Sequence, residues 1–335
     1  MKVIIPLAGY GTRLRPHTYT KPKPMINVAG KPVLGHILDT LKGLDISEYI
    51  FIVGYLGDQI ADYIDTEYNV PAHYVEQKEM LGQSHAIYLA REYLDDEPVF
   101  IVFGDHIFEA DFTSIKQPKT DAVIFVKEVE DPRKYGVVML DENQHVTSFV
   151  EKAANPPTNL AIIGLYYINN GNKLVDALHW QINDAEKMTK GEFYIADALQ
   201  KLVNDGMTFG IETVPAWLDC GNPSSVLTAN SYLLSEGGHD NSQELHYPES
   251  IICPPVRIDP SATITRSIIG PNVTVAAHCT IENAIVKDSI VGEGSAVKDA
   301  LLERSLIGQN AYVGGRYRSF NVGDSSSIDF SVNNE

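Results

Sequence analysis

Acidic residues are missing from the start of this 335-residue chain. None precedes Asp39, while Lys2, Arg13, Arg15, Lys21, Lys23 and Lys31 all fall there. Elsewhere the balance reverses: 44 Asp and Glu against 26 Lys and Arg give a formal net charge of −18. Such a chain lacks the cationic surface that nucleic acid or an anionic membrane requires, so neither is an expected partner. Any phosphate must be met locally, and the amino-terminal cationic island is the place for it. Cysteine is scarce too. Cys220, Cys253 and Cys279 are odd in number and scattered, which excludes a disulfide framework and metal-ligand spacing and fits a reducing cytosol. Long apolar runs are absent. Val3–Ala8 is too short for a secretory signal, and nothing approaches a membrane span. The expectation is a cytoplasmic protein.

What is present begins with alternation. Val3–Ala8, Tyr49–Val53 and Val99–Phe103 read as short buried strands. Between them, Val33–Leu44, Asp58–Tyr68 and Gln83–Leu94 carry helical periodicity. That order implies an α/β, Rossmann-like, doubly wound sheet, largely parallel, with helices on both faces. Further strands are expected at Ala122–Val126, Gly136–Leu140, Val146–Val150 and Ala161–Ile168, making the sheet mixed. Helices are expected at Gly171–Ile182, at Tyr194–Asp205, and from the cap Asn222-Pro223 to Leu234. Residues 1–234 thus read as one domain.

Residues 235–250 are polar, glycine-bearing and unpatterned, which suits a linker. A repeat follows. Ile258, Ile264, Ile269, Val275, Ile281, Val286, Val291, Val297, Leu302, Ile307 and Val313 recur every five or six residues. This is the hexapeptide pattern of a parallel β-helix of about four coils, each short strand turning one aliphatic inward. Residues 251–318 are assigned to it and 319–335 to a polar tail. The faces of such a solenoid suit contacts between copies, so a homo-oligomer is expected.

Gly9 and Gly11 follow the first strand and precede a basic segment, so backbone N–H groups there can converge on phosphate. Neither common phosphate loop is present. A Walker sequence is absent, and Leu14 stands where a dinucleotide fingerprint needs its third glycine. The longer pattern Ala8-Gly9-Tyr10-Gly11-Thr12-Arg13-Leu14, followed by Pro22-Lys23-Pro24-Met25, resembles the sugar-1-phosphate nucleotidyltransferases (nucleoside-diphosphate-sugar pyrophosphorylases). Glucose-1-phosphate thymidylyl- and uridylyltransferases are the nearest kind, and those with a C-terminal left-handed β-helix match the two-part layout. The resemblance covers about residues 1–234.

It implies transfer of a nucleotidyl group from an NTP, dTTP or UTP, to a hexose 1-phosphate such as glucose 1-phosphate, with release of pyrophosphate and with Mg2+ as cofactor. It also implies that Leu7, Ala8, Gly9, Gly11, Thr12 and Arg13 surround the nucleotide, with Gln77, Gly82 and Gln83 reading the base. A guanidinium at Arg13 suits bidentate clamping of the leaving pyrophosphate. Lys23 would meet phosphate as a point charge. Asp105, closing a strand at its carboxyl end, and Asp219 would hold Mg2+. Gly136, Glu151, Lys152, Tyr166 and Lys190 would bind the sugar phosphate. Two other functions compete. A β-helix can carry acyl transfer, for which His278 is the one histidine within 251–318, and a chain of this kind can serve as a non-catalytic sugar-nucleotide sensor. A glycosyltransferase is disfavoured because Gly104-Asp105-His106-Ile107 lacks its Asp-x-Asp metal motif.

Overall fold

A computed structural model describes residues 1–315; 316–318 of the expected β-helix and the whole expected tail lie outside the described residues. The chain divides into two compact units, Met1–Asp240 and a second beginning at Asn241. Among the described residues no helix is long and apolar enough to cross a membrane.

The first unit opens with β1 (Lys2–Pro6), β2 (Asn27–Val28), β3 (Lys31–Pro32), α1 (Val33–Leu41), β4 (Glu48–Val53), α2 (Gly57–Glu67), β5 (Ala72–Glu76) and α3 (Gln83–Tyr88). Then come β6 (Val99–Val102), β7 (His106–Glu109), α4 (Thr113–Lys116), β8 (Ala122–Glu128), β9 (Gly136–Leu140), β10 (Val146–Glu151) and β11 (Leu160–Ile168). It closes with α5 (Gly171–Ile182), α6 (Ile195–Asn204), β12 (Phe209–Thr213), β13 (Ala216–Asp219) and α7 (Pro223–Ser235).

The main sheet runs β10-β9-β11-β6-β1-β4-β5, with β8 pairing β11 and β12. Its β6-β1-β4-β5 half is parallel, and β6, β1 and β4 are apolar runs buried on both faces, as a helix-covered sheet demands, while β5 at the edge is half-polar and only partly buried. The other half is mainly antiparallel, through β11 against β6, β8 and β9 and β10 against β9. The sheet is mixed, as expected, with parallel and antiparallel pairings in about equal share where a larger parallel share was expected. Apolar composition signals burial, and it does not signal strand direction.

The expected helix over Gln83–Leu94 stops at Tyr88 and resumes as a 3-10 turn at Arg91–Tyr93. Six strands of this unit were not foreseen: β2, β3, β5, β7, β12 and β13 are short or half-polar. Pairing of β7 with β13, as a separate two-stranded ribbon, proves decisive for the site.

The second unit is a left-handed parallel β-helix. Its three columns stack β14, β17, β20 and β23 (Ile251–Ile252, Ile268–Ile269, Ile285–Lys287, Leu301–Glu303), then β15, β18, β21 and β24 (Val256–Ile258, Val273–Val275, Ile290–Val291, Leu306–Ile307), then β16, β19, β22 and β25 (Thr263–Thr265, Thr280–Glu282, Ala296–Lys298, Tyr312–Gly314). Inward residues of the second column, Ile258, Val275, Val291 and Ile307, stand in register one per coil. At the corners the backbone is left-handed, and short polar side chains recur there: Asn283 above Asp299 and Asn272 above Asp288, with amide-to-carboxylate bonds of 2.6 and 2.7 Å. His278 is an exposed corner residue of the same kind, with φ 58°.

The expected linker is partly structured. Asn241 is buried, its amide donates to Ile258 O (2.8 Å), and its Oδ1 accepts from Ile258 N (3.0 Å), so it seals the first coil. The division between units falls just before it.

Candidate active site

Beyond β1 the chain turns through Gly9 and Gly11. Gly11 has φ +60°, and a Cβ there would lie 2.9 Å from Thr18 Cγ2 and 3.0 Å from Lys23 Cβ. Thr18 Oγ1 donates to Gly11 O (2.8 Å). The loop is thereby folded back on itself, and Lys23 is brought beside the glycine turn. From there Lys23 Nζ donates to Asp105 Oδ2 at 2.6 Å.

Asp105 sits between β6 and β7. The ribbon of β7 and β13 sets His106 opposite Asp219, and Cys220 N–H donates to Asp105 O (3.0 Å). Two carboxylates far apart in sequence are thus placed by one strand pairing. His106 stands between them. Its Nδ1 lies 3.0 Å from Asp105 Oδ1, off the direction a hydrogen bond needs, and its Nε2 lies 3.8 Å from Asp219 Oδ1. Arg13 completes the cluster, because a Cβ at Gly221 would lie 2.9 Å from Arg13 Nη2 and 2.7 Å from Asp219 Oδ1. Burial pushes the Asp105 carboxyl up, but the neighbouring His106, Lys23 and Arg13 outweigh it and hold the group well below the usual carboxylate range.

Two adjoining cavities meet here. The larger, about 370 Å3, is lined by Arg13, Asp105, Gly136, Glu151, Lys152, Tyr166 and Asp219, among others. The smaller, about 200 Å3, is lined by Leu7, Gly9, Lys23 and Pro24. Gln83, Phe103 and Asp105 belong to both walls. In the larger cavity Glu151 pairs in register with Gly136, and Lys152 Nζ lies 3.2 Å from Glu151 Oε1 and 4.9 Å above the Tyr194 ring. Burial raises the Tyr166 hydroxyl far above its ordinary pKa, with the Glu151 charge adding to it. Trp217 packs against His106 and edge-on to Tyr135 (centroids 5.3 and 4.8 Å). Among the described residues its buried Nε1 finds no hydrogen-bond partner.

Several expected site residues fall elsewhere. Ala8, Gly11, Thr12 and Gly82 line neither of these two cavities. Gln77 is buried, with its amide on Gly82 O (3.2 Å) and His85 Nδ1 (3.2 Å), so it braces a turn. Lys190 is exposed at the tip of the Thr189–Glu192 turn and outside both cavities. Arg13 lines the larger cavity and not the smaller.

Others were missed. Phe103, Ile162, Ile195, Ala196 and Leu199 form an apolar wall that in sequence reads as ordinary core. Lys134 also lines the cavity, and its one signal is adjacency to Tyr135-Gly136.

Whether magnesium suits this donor set can be judged from its chemistry. Two carboxylates, Asp105 and Asp219, line the same cavity on either side of His106, and among the described residues no three His, Cys, Asp or Glu side chains gather as a metal cluster. A hard cation that keeps several waters and takes substrate oxygens needs no more than the pair Asp105 and Asp219, so the residues fit.

Comparison with known proteins bears on what binds here. Residues 2–236 match the nucleotidyl transferase family model, and residues 227–289 match that of the GlmU-like C-terminal hexapeptide. A low-salt glycan biosynthesis nucleotidyltransferase of Haloferax volcanii is 31% identical over 342 residues, covering 94% of each chain. A glucose-1-phosphate thymidylyltransferase of Streptomyces griseus is 27% identical and covers 93% of each. The crystal structure of a UDP-glucose pyrophosphorylase complexed with UDP-glucose is similar with a TM-score of 0.60 at 25% identity, covering 68% of this chain and 96% of that one.

Proposed function

Because the chain belongs to the nucleotidyl transferase family, we propose that it joins an NTP, dTTP or UTP, to a hexose 1-phosphate, glucose 1-phosphate foremost, and releases pyrophosphate. What supports this reading most is the meeting of Arg13, Lys23, Asp105 and Asp219 where the two cavities join. The nucleotide is assigned to the smaller cavity, under the glycine turn, and the sugar to the larger.

Both reactants are anions, so charge neutralisation and alignment dominate the barrier. Lys23, held against Asp105, presents a fixed ammonium to the phosphate at the junction. Arg13 forms no ion pair among the described residues, and its planar fork is free to clamp departing pyrophosphate. Glu151 accepts hydroxyl protons of the sugar, and Lys152 and Lys134 balance its phosphate charge. Asp105 and Asp219 would hold Mg2+, which supplies charge neutralisation at the phosphate oxygens when bound.

The test is pyrophosphate release over the common NTPs, with and without glucose 1-phosphate. Release that requires both reactants is expected, with Arg13→Ala lowering kcat/KM by about 100-fold or more. Release without a sugar phosphate, or undiminished turnover in Arg13→Ala, would overturn the assignment.

A further inference from the structure

We propose that the chain pairs with a second copy of itself through the first column of the β-helix, face to face about a two-fold axis. Along each rung of that column the residues alternate. Ile252, Ile269, Val286 and Leu302 turn inward, and their neighbours Ile251, Ile268, Ile285 and Leu301 turn outward. The strand register stacks these four outward residues in one row, one per coil. Ile251, Ile285 and Leu301 are 59%, 42% and 80% exposed, and Ile268 is half-buried. At about 4.8 Å between rungs the row is about 14 Å long. A single exposed aliphatic needs no explanation, but an unbroken row of them on a flat face does. Strand propensity does not supply one. Threonine serves it equally, and the outward row of the third column is Thr263, Thr280, Ala296 and Tyr312.

The surround of the row indicates what covers it. Its flanking charges are paired within the chain. Arg266 joins Glu282 and lies 3.9 Å from Glu249, Lys298 lies 3.4 Å from Glu282, and Lys287 lies 2.8 Å from Glu303. In these pairs three cations meet three carboxylates, so the rim is locally neutral in a chain of net charge −18. Two copies of an acidic chain repel each other least where such a neutral face meets its like. A cationic partner would instead be drawn to the acidic remainder. An apolar centre inside a satisfied polar rim is also the layout of a protein–protein interface. In the second column the outward residues Thr274 and Ile290 are already buried. Among the described residues the solenoid thus offers no second exposed apolar row, and the match for this face is itself. A patch that matches itself closes as a two-fold pair. Four rungs by one side of the coil is roughly 20 by 20 Å, so two such faces bury close to the roughly 1,000 Å2 that a specific interface needs. The middle of the row, Ile268 and Ile285, then lies next to the axis.

Sedimentation velocity of the full chain over a wide concentration range is the test, on wild type, Ile285→Lys, Ile285→Glu and an equimolar mixture of the two variants. Wild type is expected as a dimer, or as a larger assembly of even copy number. Each variant alone sets like charges together at the axis and should run at half the wild-type mass, with the dissociation constant raised about 100-fold or more. The circular dichroism melts should be unchanged, because residue 285 points outward. Mixing the two variants sets opposite charges together and should return the wild-type mass, a recovery that misfolded variants would not show. A monomeric wild type, an odd copy number, an assembly that survives both substitutions, or a mixture that stays at half mass would each overturn the proposal. The outcome is independent of the reaction assigned to the first unit.

Discussion

A buried imidazole shows how one residue can set the acid limit of this fold. His36 lies on α1 with its Nε2–H on Val28 O at 2.8 Å. Burial lowers its pKa to about 4, and the nearby His239 and Lys31 oppose protonation further. The sign follows from linkage. A base whose folded pKa lies below its unfolded value binds fewer protons when folded. Its stabilisation is therefore complete above pH 6.5 and drains as pH falls from 6.5 toward 4. Urea unfolding at pH 7 and pH 5 is expected to differ by about 2 kcal/mol through this group alone. His36→Gln, which keeps a donor without the titration, should flatten that difference by the same amount. An unchanged slope in the variant would show that some other group carries the acid sensitivity. Asp105 works at a lower pH. Held below the usual carboxylate range, it favours the fold at every pH above the ordinary Asp value and withdraws that support only in stronger acid.

At the scale of elements, the active site is a matter of which loops are pinned together. Gly82 has φ +99°, and a Cβ there would lie 2.7 Å from both the N and O of Phe193. That closeness exists because Phe193 N–H donates to Leu81 O (2.8 Å) and Ser84 N–H donates to Phe193 O (3.1 Å), so the segments before α3 and α6 are clamped to each other. Gly82→Ala would strain the backbone by about 1–3 kcal/mol and part the clamp. Since Gln83 and Ile195 sit directly behind it, kcat/KM is expected to fall by up to about 100-fold, read by pyrophosphate release beside a urea melt. A variant with normal kinetics and only a lowered melt would reduce the clamp to a stability device. The sequence could show Gly82 as a turn but not its partner, because the contact joins residues distant along the chain. The same limit hid the β7–β13 ribbon. Its strands are short, and His106 and Asp219 interrupt their apolar pattern because those residues face the cavity. The buried parallel strands were legible by contrast, since continuous apolar runs state their burial locally. Gln77 shows a related limit: an amide's chemistry suits base reading and turn bracing alike, and the sequence does not show that its amide lies on Gly82 O and His85 Nδ1.

Considered whole, the molecule stores its stability in two unlike ways. The first unit relies on a mixed sheet whose pairings are mostly remote in sequence, so its core had to be seen to be assigned. The second repeats one local solution, and each inward aliphatic of the repeat could be named from spacing alone. Ile258, Ile269, Ile281, Val286, Val291 and Val297 are all fully buried, as the period requires. A solenoid of this kind is stabilised by nearest-neighbour stacking, coil upon coil. Damage to a middle coil should therefore cost more than damage near the last, where Leu302, Ile307 and Val313 are only partly covered. Ile281→Ala, in the middle of the third column, removes a side chain with no exposed surface and should cost about 2–5 kcal/mol. Val313→Ala, at the last described rung of the same column, should cost clearly less. Calorimetric scans of both variants, paired with pyrophosphate release at a temperature below either transition, give the comparison. Equal losses at the two positions would mean that the coils do not unfold as a stacked series. Turnover that fell in step with Ile281→Ala at that low temperature would mean that the β-helix contributes to the site and is more than an independent stack.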